Sequence, residues 1–570
     1  MTHATNCAII AIDEEGLDVQ QIELLQTKLS RRGQHLDACY NDVEPSQGDD
    51  EHLKKAFASL VAEMLVRYTP DSKEWKGFNE ILAGTKKMMP EDRPLPAKKT
   101  DARPFGVFDI NEGSKKGIVD IMKAIRERST LPESEWSAKT RIVLGDWLTS
   151  NNLRGAQRNR ADDINSMERV EYVEELSSLW HYGLQAAHCL MRTHFGQATE
   201  DPTSLASHKG LLGRTWDETK PNYAAAKSLI RHSLIGRLLH IAMAKKGFQQ
   251  WSELKSWRPN LDEIKALAED IVLNHANTSA AERMKDAGDD WEAHNIFFIG
   301  DALLFCEFEQ AVAHADPGRV LRVMKYWCFA FRGAGQHNYA RECAEVLLRW
   351  KYKLTDMLRK ALERAWFVNR WGLPRRWIPA DLYVEQLNYW VKRVFIAQGN
   401  SVNVVYIIKK GSACVEAFRD VTERVSRFFG NPDRSRRSKE ISFQEDLRTL
   451  VEHLSKNNLH GSRKVRPVLA TQTAKSKGPT SAIVDVQVEG AGMWQHGKFK
   501  DLMRNTTFDP ALGYPITEED KRLDTGTAFD DTDNNPLERD SFEDVHVDEG
   551  DEAVGSLSGG GEYSTGEILL

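Results

Sequence analysis

At 570 residues, with 41% hydrophobic and 28% charged side chains, the chain has material for a large core and is too long for one simple domain. No run reaches the roughly 18 consecutive apolar residues of a membrane span, no basic lead or cleavage-like site marks a secretory leader over 1–13, and the seven cysteines stand singly without a CxxC pair. That excludes a disulfide framework and a cysteine zinc site, and points to an intracellular protein, nuclear or cytoplasmic. The net charge of −7 is divided, because residues 518–570 hold 17 acidic against 3 basic side chains, −14 in all, leaving +7 for the body. A basic body with an acidic tail is compatible with DNA contact restrained by that tail, although a merely solvating, disordered end is the reading composition favours.

In chain order, residues 1–100 read as a helical preamble. Leu53, Phe57, Leu60, Val61 and Leu65 at helical spacing predict a helix over 51–68, and a Pro- and Lys-rich stretch over 88–104 predicts a linker. Over 101–182 the pattern changes. Residues 107–110 suit a strand, 117–126 a helix, and Arg141-Ile142-Val143-Leu144-Gly145-Asp146 a buried strand ending in Gly-Asp, so a small α/β element is expected. From 183 to 430 the signal is helical: a helix with Pro221 near its start runs through 246, Asp301 caps a helix over 302–314, another spans 338–350, and 382–395 resumes the pattern. Arg434, Arg436, Arg437 and Lys439 form a basic patch in a linker over 431–480, and 481–570 reads as a mostly disordered acidic tail. The 15 tryptophans predict a well-packed interior.

Several residues could carry chemistry. Asp146 closes a strand where open α/β sheets place ligands, and Gly145 permits a close turn beside it; the same aspartate could simply cap a following helix, which spacing alone favours. Arg154 and Arg158 share a helical face and could meet phosphates or pair with Asp162, Asp163 and Glu168. His181, His188 and His194 lie seven and six apart, not the four that would bring a metal pair onto one face, so a hydrogen-bonding His181 is the better reading. Glu342 and Glu345 lie one turn apart after the turn Gly333-Ala334-Gly335, either as carboxylate ligands or as first-turn acids favoured by the helix dipole. Asp381 and Glu385 repeat that ambiguity. No Walker loop, GxGxxG, GxSxG or HExxH appears in a confirming context.

The ordered motifs Gly145-Asp146-Trp147-Leu148-Thr149, Ser178-Leu179-Trp180-His181, His337-Asn338-Tyr339-Ala340-Arg341-Glu342 and Asp381-Leu382-Tyr383 with Glu385-Gln386-Leu387-Asn388 resemble one family. It is a domain of unknown function, multicopy in mushroom-forming fungi, and the resemblance covers roughly residues 50–460. The order of strands, acids and a long helical insertion is further similar to ribonuclease-H-like transposases. That similarity implies a predominantly α protein with a small ribonuclease-H-like α/β element. It also implies three carboxylates holding two Mg²⁺ or Mn²⁺ ions for phosphodiester chemistry on DNA. Asp109 would be the first acid, Asp146 the second and Glu342 the third, with Glu345 or Glu385 in its stead. Fuller members are expected to carry an Asp-Asn strand just before Thr5-Asn6-Cys7-Ala8-Ile9-Ile10; if that strand held the first acid, this copy would be an inactive relic. The competing expectation is a non-enzymatic helical scaffold or interaction protein.

Overall fold

A computed structural model describes residues 5–12, 39–217, 222–398, 408, 410–430, 443–460, 465–468 and 484–495. Pro221, the basic patch at 434–439 and the acidic tail at 518–570 lie outside the described residues.

β1 (Thr5–Ile10) pairs antiparallel with β2 (Ala102–Phe108), Thr5 opposite Phe108, so part of the expected helical preamble is a strand. Between them lies α1 (Gln47–Tyr68). α2 (Lys115–Ser129) leads to β3 (Arg141–Gly145), and α3 (Trp147–Asn159) crosses over to β4 (Val173–Ser177). β4 runs parallel to β3, with Gly145 opposite Ser177. The longer helices that follow are α4 (Leu179–His194), α5 (Tyr223–Lys246), α6 (Leu261–His275), α7 (Asp290–Ala313), α8 (Pro317–Gly333) and α9 (His337–Tyr352), with shorter helical turns between them. The short antiparallel pair β5 (Phe367–Val368) and β6 (Ile378–Pro379) feeds α10 (Ala380–Gln398). α11 (Val415–Phe428), α12 (Phe443–Lys456) and α13 (Val486–Met493) complete the described chain. The architecture is predominantly helical, with strands paired two by two.

Local chemistry sets the helix ends. Ser46 and Asp49 form a reciprocal capping box at the start of α1, the Asp49 carboxylate accepting from Ser46 N–H at 2.8 Å. The second half of α1 is buried almost all round, which places it inside the bundle. Gly247 closes α5 with φ 73°. α7 differs from expectation. It begins at Asp290, capped by Asp289, and Asp301 lies mid-helix, where its carboxylate meets His194 Nε2 at 2.8 Å. The apolar run Ile296–Ile299 carries the helical period through Asp301, and a partner from α4 satisfies the carboxylate that a cap would otherwise have used.

The linker at 88–104 is irregular but held. Asp316 accepts the backbone N–H groups of Asp92 and Arg93, and Leu95 N–H bonds Ala315 C=O at 2.9 Å. Ten of the 15 tryptophans are buried, and Trp350 and Trp366 stack with rings 5.0 Å apart. The buried thiols Cys189 and Cys306 are free and pushed up to about 12 by burial, so they sit inert and protonated. α13 docks on α8 through facing glycines: a Cβ on Gly490 would lie 1.9 Å from Phe329 O, and one on Gly333 2.0 Å from Val486 O.

Candidate functional site

β3 delivers Asp146 to a recess at its carboxyl end. The backbone is extended there (φ −72°, ψ −177°), and Asp146 Oδ1 accepts from Thr149 N–H at 2.7 Å as the N-cap of α3. Gly145 is required by the fit of this turn, since a Cβ would meet Thr149 Cγ2 at 2.4 Å. The cap occupies one oxygen; Oδ2 bonds nothing among the described residues.

The second wall is α10. Asp381, Glu385 and Asn388 recur at intervals of four and three and so share a face. Asp381 accepts from the backbone N–H groups of Trp180 (3.0 Å) and His181 (3.2 Å) at the start of α4, and from His181 Nδ1 at 2.9 Å. Asn388 Oδ1 accepts from Asn6 Nδ2 of β1 at 2.8 Å. Behind this face, Val368, Ala380, Tyr383, Leu387 and Val415 form a small apolar core against Ala8, Ile10 and Leu144. That core fixes α10 across the ends of β1 and β3.

The third contributor is Glu112, in the turn between β2 and α2. Its side chain reaches solvent, while neighbouring protein removes part of its hydration. Desolvation, then the charges of Asp146 and Glu385, push its carboxyl up to about 7. The Thr5 hydroxyl donates to Ile110 C=O at 2.8 Å, and its closeness to Glu112 works in the opposite direction. Burial works against charge on His181, but Asp381, then Asp146 and Glu385, raise its proton affinity above the ordinary value. The charges of Asp146 and Glu385 therefore bear on both Glu112 and His181, the partner of Asp381. No lysine or arginine forms an ion pair with any of the three acids among the described residues.

The other expected acids lie elsewhere. Asp109 is exposed just beyond β2. Glu342 is buried on α9, where Arg154 donates to both its oxygens and Ser177 Oγ donates to Oε1. Arg154 also reaches Glu175 at 3.1 Å, and Arg349 binds Glu174 and Glu175. Glu345, on the same helix, lies 3.6 Å from Lys353. These groups form a neutralising lattice that joins β4 to α3 and α9, in which Glu342 needs no metal. Arg160 pairs with Asp163 and Glu168, each at 3.0 Å, whereas Arg154, for which those acids were the expected partners, goes to Glu342 and Glu175. His181 and His194 go to separate partners, Asp381 and Asp301.

Glu112 was missed by the sequence reading. The signal was a second acid three residues after Asp109, in the turn before Ser114, the cap of α2. Strand-end position favoured Asp109, and only the fold brings the charges of Asp146 and Glu385 to bear on Glu112.

No curated protein and no solved structure matches the chain. Residues 34–438, more than half of the sequence, match one family model and include Asp146, Glu112 and Glu385. The chain belongs to the Family of unknown function (DUF6589).

Proposed function

We propose that the chain is a phosphodiester-processing protein related to ribonuclease-H-like transposases, with Asp146, Glu385 and Glu112 as the ligands of a Mg²⁺ or Mn²⁺ site. The observation that carries this reading is that Asp146 and Glu385 both act on the carboxyl of Glu112 while no lysine or arginine pairs with these acids among the described residues, in contrast to Glu342, which Arg154 neutralises. Like charges held together are costly unless protons or cations intervene, and hard carboxylate oxygens suit these ions. The antiparallel β1–β2 pair followed by a β3–α3–β4 unit supports the comparison at the level of topology. In this assignment Glu385 stands where the sequence offered Glu342, and Glu112 where it offered Asp109.

Bound there, the metal would supply Lewis-acid stabilisation and an activated water for attack on a phosphodiester of DNA. The protein's own groups divide the remaining work. Asp146 uses Oδ1 to fix the start of α3 and presents Oδ2. Asp381 orients His181, whose retained proton offsets part of the negative charge of the cluster. Glu112, poised near neutrality, can hold or release a proton at the rim.

The test is nicking of supercoiled DNA by purified protein with Mn²⁺ or Mg²⁺, comparing wild type with Asp146→Asn and Glu385→Gln. Asn caps helices as well as Asp, so Asp146→Asn removes the charge and keeps the turn. Metal-dependent nicking reduced at least about 100-fold in both variants, each still folded, is the expected result. A folded wild-type protein that never nicks would favour the helical scaffold, in which Asp146 is only a cap.

A further inference from the structure

A second cluster of donor atoms lies far along the chain from the carboxylate recess. His275 is the last residue of α6, Glu292 sits in the first turn of α7, and His460 follows α12 just past Asn458, which turns the chain at φ 50°. Their donor atoms all lie within 4.8 Å of one another, which no other group of three His, Cys, Asp or Glu achieves among the described residues. His460 Nδ1 lies 3.0 Å from Glu292 Oε1 and 3.1 Å from Oε2, and His275 Nδ1 lies 3.4 Å from Oε1. On a tetrahedral shell with metal–ligand bonds of about 2.0–2.1 Å, neighbouring donor atoms stand about 3.3–3.4 Å apart. The observed separations are close to that edge.

Hydrogen bonding alone leaves this cluster incomplete. His460 Nε2 is buried without a partner, His275 Nδ1 makes no well-formed hydrogen bond, and the neighbouring His240, its ring 5.0 Å from that of His460, has a buried, unpartnered Nδ1. Two imidazoles, those of His275 and His460, share the one carboxylate of Glu292. Arg237, whose charge bears on His460, donates to Asn295, Ser233 and Thr203. The segment is also tethered beyond the histidine: Arg466 donates to both oxygens of Asp289, the cap of α7. The arms of the site are thus held before any ion arrives.

We propose that His275, Glu292 and His460 bind one transition-metal ion of the zinc type, which cross-links the end of α6, the start of α7 and the segment after α12. Two imidazoles and one carboxylate suit such an ion and are poor ligands for Mg²⁺. The site is independent of the carboxylate recess and can exist whether or not the chain processes DNA.

The experiment uses the full-length chain stripped with a chelator and titrated with Zn²⁺ against a competing indicator, with far-UV circular dichroism to confirm folding. Co²⁺ loading then reports ligand type, because thiolates give an intense near-ultraviolet charge-transfer band that nitrogen and oxygen ligands lack. One equivalent of Zn²⁺ should bind, raise the melting temperature and resist excess Mg²⁺, and Co²⁺ should show no thiolate band. His275→Gln and His460→Gln, tested separately because either could disturb folding, should each weaken binding on the order of 100-fold. Unchanged affinity in a folded variant of either histidine would overturn the assignment, as would a thiolate band or the absence of binding to folded wild type.

Discussion

Arg154 Nη1 and Nη2 donate to the two oxygens of Glu342 at 3.0 and 2.5 Å, joining α3 to α9 across 188 residues of sequence. Glu342 is 2% exposed and Arg154 21%, so the pair is largely out of water. Burial opposes the charge on Glu342, but Arg154 first, then Ser177 and Arg349, hold its carboxyl below the usual range. Removing one partner strands the other. Glu342→Ala should lower unfolding stability by about 3 kcal/mol, read from urea denaturation, whereas Glu342→Leu combined with Arg154→Met should cost less than either single change. A loss under about 0.5 kcal/mol for Glu342→Ala would put the pair in the class of surface bridges.

Glu112 makes stability depend on pH in an identifiable direction. Its carboxyl rises from the usual 4.5 to about 7, so between those values the folded state binds more protons than the unfolded state, and stability falls as pH rises. His181, also raised, adds stability below its unfolded value near 6.5 that is lost as pH climbs through its folded value. Relative to Glu112→Gln, wild type should therefore lose melting temperature as pH rises between about 4.5 and 7. Mn²⁺ added at pH 6 should release protons from wild type and fewer from Glu112→Gln, as an unbuffered titration would record.

The crossing of α13 over α8 leaves no room for a side chain. Gly490→Ala puts a methyl group 1.9 Å from Phe329 O, a backbone atom with little freedom to move. A loss of about 1–3 kcal/mol is expected, with faster proteolysis near 484–495 than in wild type. Equal proteolysis of the two proteins would mean that this helix is not docked in solution.

The division of charge, +7 on the body and −14 on residues 518–570, bears on DNA. If the body meets phosphates, affinity for DNA should fall as salt rises and should increase when 518–570 is removed. Fluorescence anisotropy with a labelled duplex at several salt concentrations measures both effects. Binding indifferent to salt and to the tail would remove electrostatics from the account.

Much of the local structure was legible in the residues. Periodicity and caps marked α1, α5, α9 and α10, and the apolar run ending in Gly-Asp marked β3, because backbone preference and amphipathic spacing act within a few residues. The sequence also put Asp146 at a strand end and named Glu385 among the acids available to it. It could not say that β1 is a strand, because its partner β2 lies about a hundred residues away.

Which acids meet is a tertiary matter. A carboxylate's role depends on what faces it: Arg154 and Ser177 claim Glu342, whereas the charge of Glu385, on α10, bears on Glu112. Glu292 and His460, 168 residues apart, share no local pattern at all. By itself the sequence determined helices, strand ends and the supply of ionisable groups. The packing of distant elements decided which of those groups share an environment, and charge interactions over a few ångströms follow that environment rather than sequence order.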